Sequence, residues 1–260
     1  MMTPRWEGRD PHVVAHRGAS AALAEHTLAA YELAIAEGAD GLECDVRLTR
    51  DEHLVCVHDR SIDRTSSGSG IVSEMSLAEL AEHDFASWHG DPAPASVLEL
   101  DTLLELVLDQ ERPIKLFIET KHPVRFGAQV ESQVLATLSR YGLGTPASAS
   151  HSRVVVISFS ASAVWRVRRA APMLPTVLLG DAARYLGGGA ATTVGATAIG
   201  PSIEALRANP GMVDRAAASG RSTYCWTVDE PADVALCRDL GVGWVATNYP
   251  GRTKQLLARG

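Results

Sequence analysis

Apolar and polar positions along the chain switch repeatedly between a period of two and a period near 3.6. The short apolar run from His12 to Ala15 ends at His16-Arg17-Gly18. Thr27 to Glu37 then sets Leu28, Tyr31, Leu33, Ala34 and Ile35 at helical spacings before Gly38 stops the pattern. Residues 41–48 read as a second strand, and His53 to Val57 alternates as a further one, hairpinned to it through Thr49 to Glu52. From Arg60 to Leu100 the rhythm dissolves into Ser, Gly, Pro and His. That stretch holds too few apolar residues for a core of its own, which predicts an insertion, residues 60–100, rather than a second domain.

Regular alternation then resumes. Asp101 to Leu108 and Gly127 to Tyr141 read as helices, Lys115 to Lys121 and Arg153 to Phe159 as strands. Weaker strand patterns follow at Thr176 to Leu179, Ala196 to Gly200, Ser222 to Val228 and Trp244 to Thr247, with helices at Glu204 to Ser219 and Pro231 to Leu240. The Gly- and Ala-rich stretch 181–195 has no clear pattern. With the 53–57 segment set aside, eight parallel-type strands remain. The expected fold is a (β/α)8 TIM barrel with a small insertion after the second strand, one domain over residues 1–260, and the length of 260 residues fits it.

Hydrophobic residues at 46% and charged residues at 21% suit a soluble globular enzyme. A net charge of −7 speaks against a large sequence-independent nucleic-acid footprint, which needs clustered cations, but leaves an anionic small-molecule substrate open. No apolar run approaches the ~20 residues of a spanning helix. The amino terminus also lacks the charged and apolar regions of a secretory signal, so the expected location is cytoplasmic. Cys44, Cys56, Cys225 and Cys237 show no C-x-x-C spacing and read as buried reduced thiols, a Cys44–Cys56 disulfide being the exception to check.

In a barrel, the chemistry sits at the carboxyl ends of the strands. His16 and His58 each close an apolar strand and are followed by a charged residue, Arg17 or Asp59. Imidazoles there can accept and return a proton. The period of two puts Glu43 and Asp45 on one strand face, and Glu119 and Lys121 likewise share a face. Three carboxylates converging on one mouth would repel one another unless a cation lay between them. Arg17 offers a planar fork to a phosphate and Lys121 a point charge. Asp59 could orient His58 or the turn beside it. This is equipment for metal-assisted attack on a phosphodiester.

The run AHRGASAALAEHTLAAYELAIAEGADGLECDVRLTRDEHLVCVHDRSIDRTSSGSG resembles the amino-terminal signature of glycerophosphodiester phosphodiesterases, actinobacterial members above all. The likeness continues through FIETKHP, VVVISFS and YCWTVDE, nearly the whole chain. It implies metal-dependent hydrolysis of glycerophosphodiesters, such as glycerophosphocholine or glycerophosphoethanolamine, to an alcohol and sn-glycerol 3-phosphate. Carried over position by position, it implies that His16 and His58 are acid and base, and that Glu43, Asp45 and Glu119 hold one divalent ion, Mg2+, Ca2+ or Mn2+. Arg17 and Lys121 would bind phosphate. Trp226 matches a family tryptophan near the site, and Phe159 has a similar claim on the substrate, although core packing serves Trp226 nearly as well.

One departure stands out. The family's frequent Pro-Glu-Asn-Thr reads Ala24-Glu25-His26-Thr27, where Thr27 suits a helix N-cap, Glu25 is within range of the site, and His26 puts substrate choice in doubt. Two rivals remain: a phospholipase D toxin-type barrel acting on lysophospholipid or sphingomyelin, marked by an exposed apolar rim and a much shorter insertion, and a phosphate-binding barrel without turnover. The expected partner is a small-molecule glycerophosphodiester, with no nucleic acid and no integral membrane segment; the pattern does not specify an oligomeric state.

Overall fold

A computed structural model describes residues 10–91, 93–125, 127–180 and 189–259. Strands β1 (His12–His16), β2 (Gly41–Leu48), β4 (Lys115–Thr120), β5 (Val154–Ser158), β6 (Thr176–Gly180), β7 (Ala198–Pro201), β8 (Ser222–Cys225) and β9 (Trp244–Thr247) pair in parallel. β1 pairs with both β2 and β9, which closes the sheet into a (β/α)8 barrel. β3 (Leu54–Cys56) is the exception: it runs antiparallel to the end of β2, with Val46 opposite Cys56, as the hairpin pattern predicted.

Alternation along the strands sorts side chains into two cores. The inward set, including Val14, Phe117, Val155, Ile157, Val177, Tyr224, Trp244 and Ala246, fills the barrel, with Phe117 stacked on Tyr224 at 5.1 Å between ring centroids. The outward set packs under the helices. Interior space is tight at Gly200, where an added Cβ would lie 2.5 Å from Leu179 Cδ2 and 2.9 Å from Val177 Cγ1. The ninth strand, β3, lies outside the barrel, and side chains fill the lumen.

Several elements differ from the pattern-based expectation. The helix expected over Glu204–Ser219 is two, Ile203–Ala208 and Met212–Ala218. Pro210 lies between them and cannot continue a helix's hydrogen-bond ladder. Helices Ala161–Ala170 and Pro250–Arg259 complete βα units whose patterns the sequence left unread. The predicted strand to Val228 ends at Cys225, and beyond it Trp226 makes only an isolated bridge to Ser202. Part of the unclear stretch, 181–188, lies outside the described residues.

The segment after β3 buries Ile62, Val72, Leu80, Phe85 and Val97, but completes that cluster with Val55 and Val57 from and beside β3, so it leans on the barrel. Cys44, Cys56, Cys225 and Cys237 are buried free thiols. Among the described residues, no helix is long and apolar enough to cross a membrane.

Candidate active site

β2 sets the site. Gly41, Glu43 and Asp45 fall on its inward face, and Gly41 lacks a side chain where a Cβ would meet the Lys115 carbonyl at 3.1 Å and the Phe117 ring at 3.2 Å. Above that floor, Glu43 and Asp45 are each 1% exposed and Glu119 7%. One oxygen from each of the three lies within 4.8 Å of the others. β2 and β4 align them directly, with Asp45 opposite Glu119. So much negative charge out of water is costly. Burial, together with repulsion from Asp45, pushes Glu43 well above the usual carboxyl range and Glu119 up to about 7. Asp45 is also pushed up by burial, but the Lys121 ammonium, the His26 hydrogen bond and Arg17 together hold it well below.

Lys121 and Arg17 compensate in part. Lys121 Nζ lies 2.9 Å from Asp45 Oδ1 and 2.8 Å from Glu119 Oε1. The Arg17 amide donates to Glu43 Oε2 at 3.0 Å, and its guanidinium lies between Glu25 Oε1 at 3.0 Å and Asp45 Oδ2 at 3.1 Å. Both cations expected at phosphate thus face carboxylates, because three buried acids attract whatever positive charge is near. An all-oxygen donor set of this kind fits a hard divalent cation such as Mg2+, Ca2+ or Mn2+.

The histidines flank this centre. His16 Nδ1 is 2.8 Å from Asn248 Oδ1; the Asn248 amide nitrogen donates to Asp229 at 2.7 Å, which fixes Oδ1 as the face turned to His16. His16 Nδ1 therefore carries the hydrogen and Nε2 is left free. Burial, with the charge of Arg17, pulls its pKa down to about 3. His58 Nδ1 is 2.7 Å from Asp59 Oδ1, so Asp59 orients the ring. Asp59 also accepts from Arg64 Nε at 2.6 Å, and Arg64 binds both oxygens of Glu25 at 3.0 and 2.8 Å. Glu25 joins Arg17 to Arg64; despite burial, those cations keep its pKa at about 2. From β2, Arg47 donates to the His58 carbonyl at 2.7 Å and holds the loop.

His16, Arg17, Glu43, His58, Glu119, Lys121, Phe159 and Trp226 line one cavity of about 80 Å³ at the barrel mouth, and Asp45 lies buried against Lys121. Larger cavities of about 410 and 520 Å³ occur elsewhere, so charge rather than size marks this one. Phe159 and Trp226 meet edge to face at 5.2 Å, and the indole nitrogen donates to Gly200 O at 2.9 Å. Thr27 caps helix α1 (Leu28–Ala36), accepting from the Ala30 amide.

Pattern reading missed Asn248, Asp229, Arg64 and the contacts of His26. Asn248 follows β9 as His16 ends β1, so strand-end placement was a usable signal; Arg64 lies in irregular chain and had none.

The sequence profile of the Glycerophosphoryl diester phosphodiesterase family matches residues 16–252. The chain belongs to this family. A relative from Mycobacterium tuberculosis (strain ATCC 25618 / H37Rv), named "Probable glycerophosphodiester phosphodiesterase 1", is 62% identical over 256 residues, which cover 96% of this chain and 93% of the relative. A glycerophosphodiester phosphodiesterase structure from Agrobacterium tumefaciens superposes with a TM-score of 0.79 at 25% identity, covering 96% of this chain and 100% of that one. A phosphodiesterase from Oleispira antarctica, solved in complex with the product sn-glycerol-3-phosphate, has a TM-score of 0.81 at 22% identity and covers 95% and 97%. As a member of the family the chain is a phosphoric diester hydrolase, a glycerophosphodiester phosphodiesterase.

Proposed function

We propose that the chain hydrolyses glycerophosphodiesters, including glycerophosphocholine and glycerophosphoethanolamine, to an alcohol and sn-glycerol 3-phosphate, with His16 and His58 moving the protons. The observation that carries this reading is the pairing of two differently backed imidazoles with a buried Glu43-Asp45-Glu119 cluster at one mouth. Those three carboxylates would hold the divalent ion. When bound, it supplies charge that polarises the phosphate. Arg17 and Lys121 sit beside the cluster, where a phosphate oxygen brings the opposite charge they can turn to. Burial and the Arg17 charge keep His16 neutral, the Asn248 contact leaves its Nε2 free, and Asp59 supports a proton on His58; a pair whose surroundings differ in this way can take a proton at one atom and give one at another. Trp226 and Phe159 wall the substrate side.

The toxin-type rival calls for an apolar rim. Among the described residues lining the cavity, Phe159, 45% exposed, is the exposed large hydrophobic side chain. The test is release of sn-glycerol 3-phosphate from glycerophosphocholine and glycerophosphoethanolamine. Exhaustive chelation should abolish it, a divalent cation should restore it, and His16→Ala or His58→Ala should each lower kcat by roughly 10²-fold or more. Full turnover after verified metal removal, or near-wild-type turnover in both variants, would overturn the reading.

A further inference from the structure

We infer that His26 is a positioning residue which fixes Asp45 as a one-oxygen ligand for the divalent cation, with Tyr31 as its own anchor. The inference rests on the metal-dependent reading above. His26 is 6% exposed. Its backbone is left-handed, φ +62, a conformation that Asn and His tolerate better than most residues. A hydrogen bond from the His26 amide to the Arg17 carbonyl at 3.1 Å holds that turn in place.

From there the imidazole reaches two buried partners. Nε2 lies 2.9 Å from Asp45 Oδ2, and a carboxylate can only accept, so this nitrogen donates. Nδ1 lies 2.8 Å from the Tyr31 hydroxyl, which itself donates to the Glu43 carbonyl at 3.0 Å. Tyr31 is fully buried. One chain of contacts, Asp45 to His26 to Tyr31 to Glu43, therefore ties down the two β2 residues that bear metal-facing carboxylates. Asp45 Oδ2 faces both His26 and the Arg17 guanidinium, whereas Oδ1 faces Lys121. Oδ1 is the oxygen that can turn to a cation without breaking the His26 contact, so Asp45 contributes a single oxygen.

Outer contacts of this kind tune metal affinity by about 10- to 100-fold when removed. The test is calorimetric titration with Mn2+ of the wild type, His26→Ala, His26→Asn and Tyr31→Phe, each checked for wild-type secondary structure by circular dichroism. His26→Ala should bind Mn2+ roughly 10- to 100-fold more weakly, and raising Mn2+ above the new Kd should restore kcat with the substrate KM unchanged. His26→Asn, with a donor amide and tolerance for the same backbone, should stay within a few-fold of wild type. Should His26→Ala fail to fold, Tyr31→Phe, which keeps the ring volume, should still show weakened Mn2+ binding. Folded His26→Ala or Tyr31→Phe with wild-type Mn2+ affinity would overturn the inference and leave the metal reading standing. A wild type that binds no divalent cation would overturn both.

Discussion

What stands behind each imidazole decides how it handles a proton. Asn248 presents His16 with a neutral amide oxygen, while Asp59 presents His58 with a carboxylate at 2.7 Å. Burial is the largest influence on His58 and lowers its pKa, with Arg17 and Lys121 adding to that, whereas Asp45 and the Asp59 hydrogen bond raise it. Asp59→Asn removes one of the two opposing influences, so His58 should lose its proton at lower pH. We expect kcat to fall about 10²-fold and the limb of the pH–rate profile that belongs to His58 to move to lower pH. An unmoved limb with wild-type turnover would show that Asp59 only anchors Arg64. The side chains at this mouth were legible in the sequence to the extent that regular strands deliver them. His16, Glu43, Asp45, His58 and Glu119 end or alternate along apolar runs, and the period of two assigns their face. Arg64 and Asp229 were not legible, since each reaches the site from irregular chain, where no period says which way a side chain points.

At the scale of elements, the barrel is pinned at the end opposite the site by Asp40, just before β2. Its carboxylate accepts from the Val13 amide at 2.8 Å and from Lys254 Nζ at 3.1 Å, joining β1 to the helix Pro250–Arg259. Its main chain accepts from the Lys115 amide at 3.2 Å, at the start of β4. Burial alone would raise the Asp40 pKa, but bonds from His12, Val13 and Lys254 hold it down at about 2. A carboxyl depressed in the folded state stabilises above its unfolded pKa of about 3.9, and that contribution fades as pH falls toward 2. Asp40→Asn should therefore cost roughly 1 kcal/mol at pH 7, the figure reduced for partial exposure. Urea midpoints of both proteins from pH 7 to 2 should converge at the acid end; a constant gap would place the effect in packing instead. The βα order itself was readable because buried parallel strands are continuous apolar runs bounded by Gly and Pro. Helices Ala161–Ala170 and Pro250–Arg259 escaped notice because their buried stripes are short and made of few large apolar residues: Ala163, Val164 and Val167 in one, Pro250, Thr253 and Leu257 in the other.

For the whole molecule, the carboxylate cluster makes stability depend on what neutralises it. Glu43 and Asp45 lie on β2 and Glu119 on β4, which pair along six registered positions, so charge repulsion in the cluster opposes the contact between adjacent barrel strands. Lys121 relieves this with one positive charge shared between Asp45 and Glu119. A divalent cation brings two, and because the unfolded chain cannot gather three oxygens within 4.8 Å, binding favours the folded state. At a free Mg2+ concentration of 100 times Kd, linkage is worth about 2.7 kcal/mol. At roughly 2–4 °C per kcal/mol for a chain of this size, the midpoint of thermal unfolding should rise by about 5–10 °C over the chelated protein. With its overall charge of −7 the protein also attracts cations diffusely, so an ionic-strength-matched Na+ control separates screening from site binding. Glu119→Gln should show a higher midpoint than wild type in the chelated state, because it removes one repelling charge, and most of the Mg2+-dependent rise should disappear. An equal rise in wild type and Glu119→Gln would place the stabilising cation elsewhere on the surface and remove the carboxylate cluster from the account of how this barrel would hold a metal.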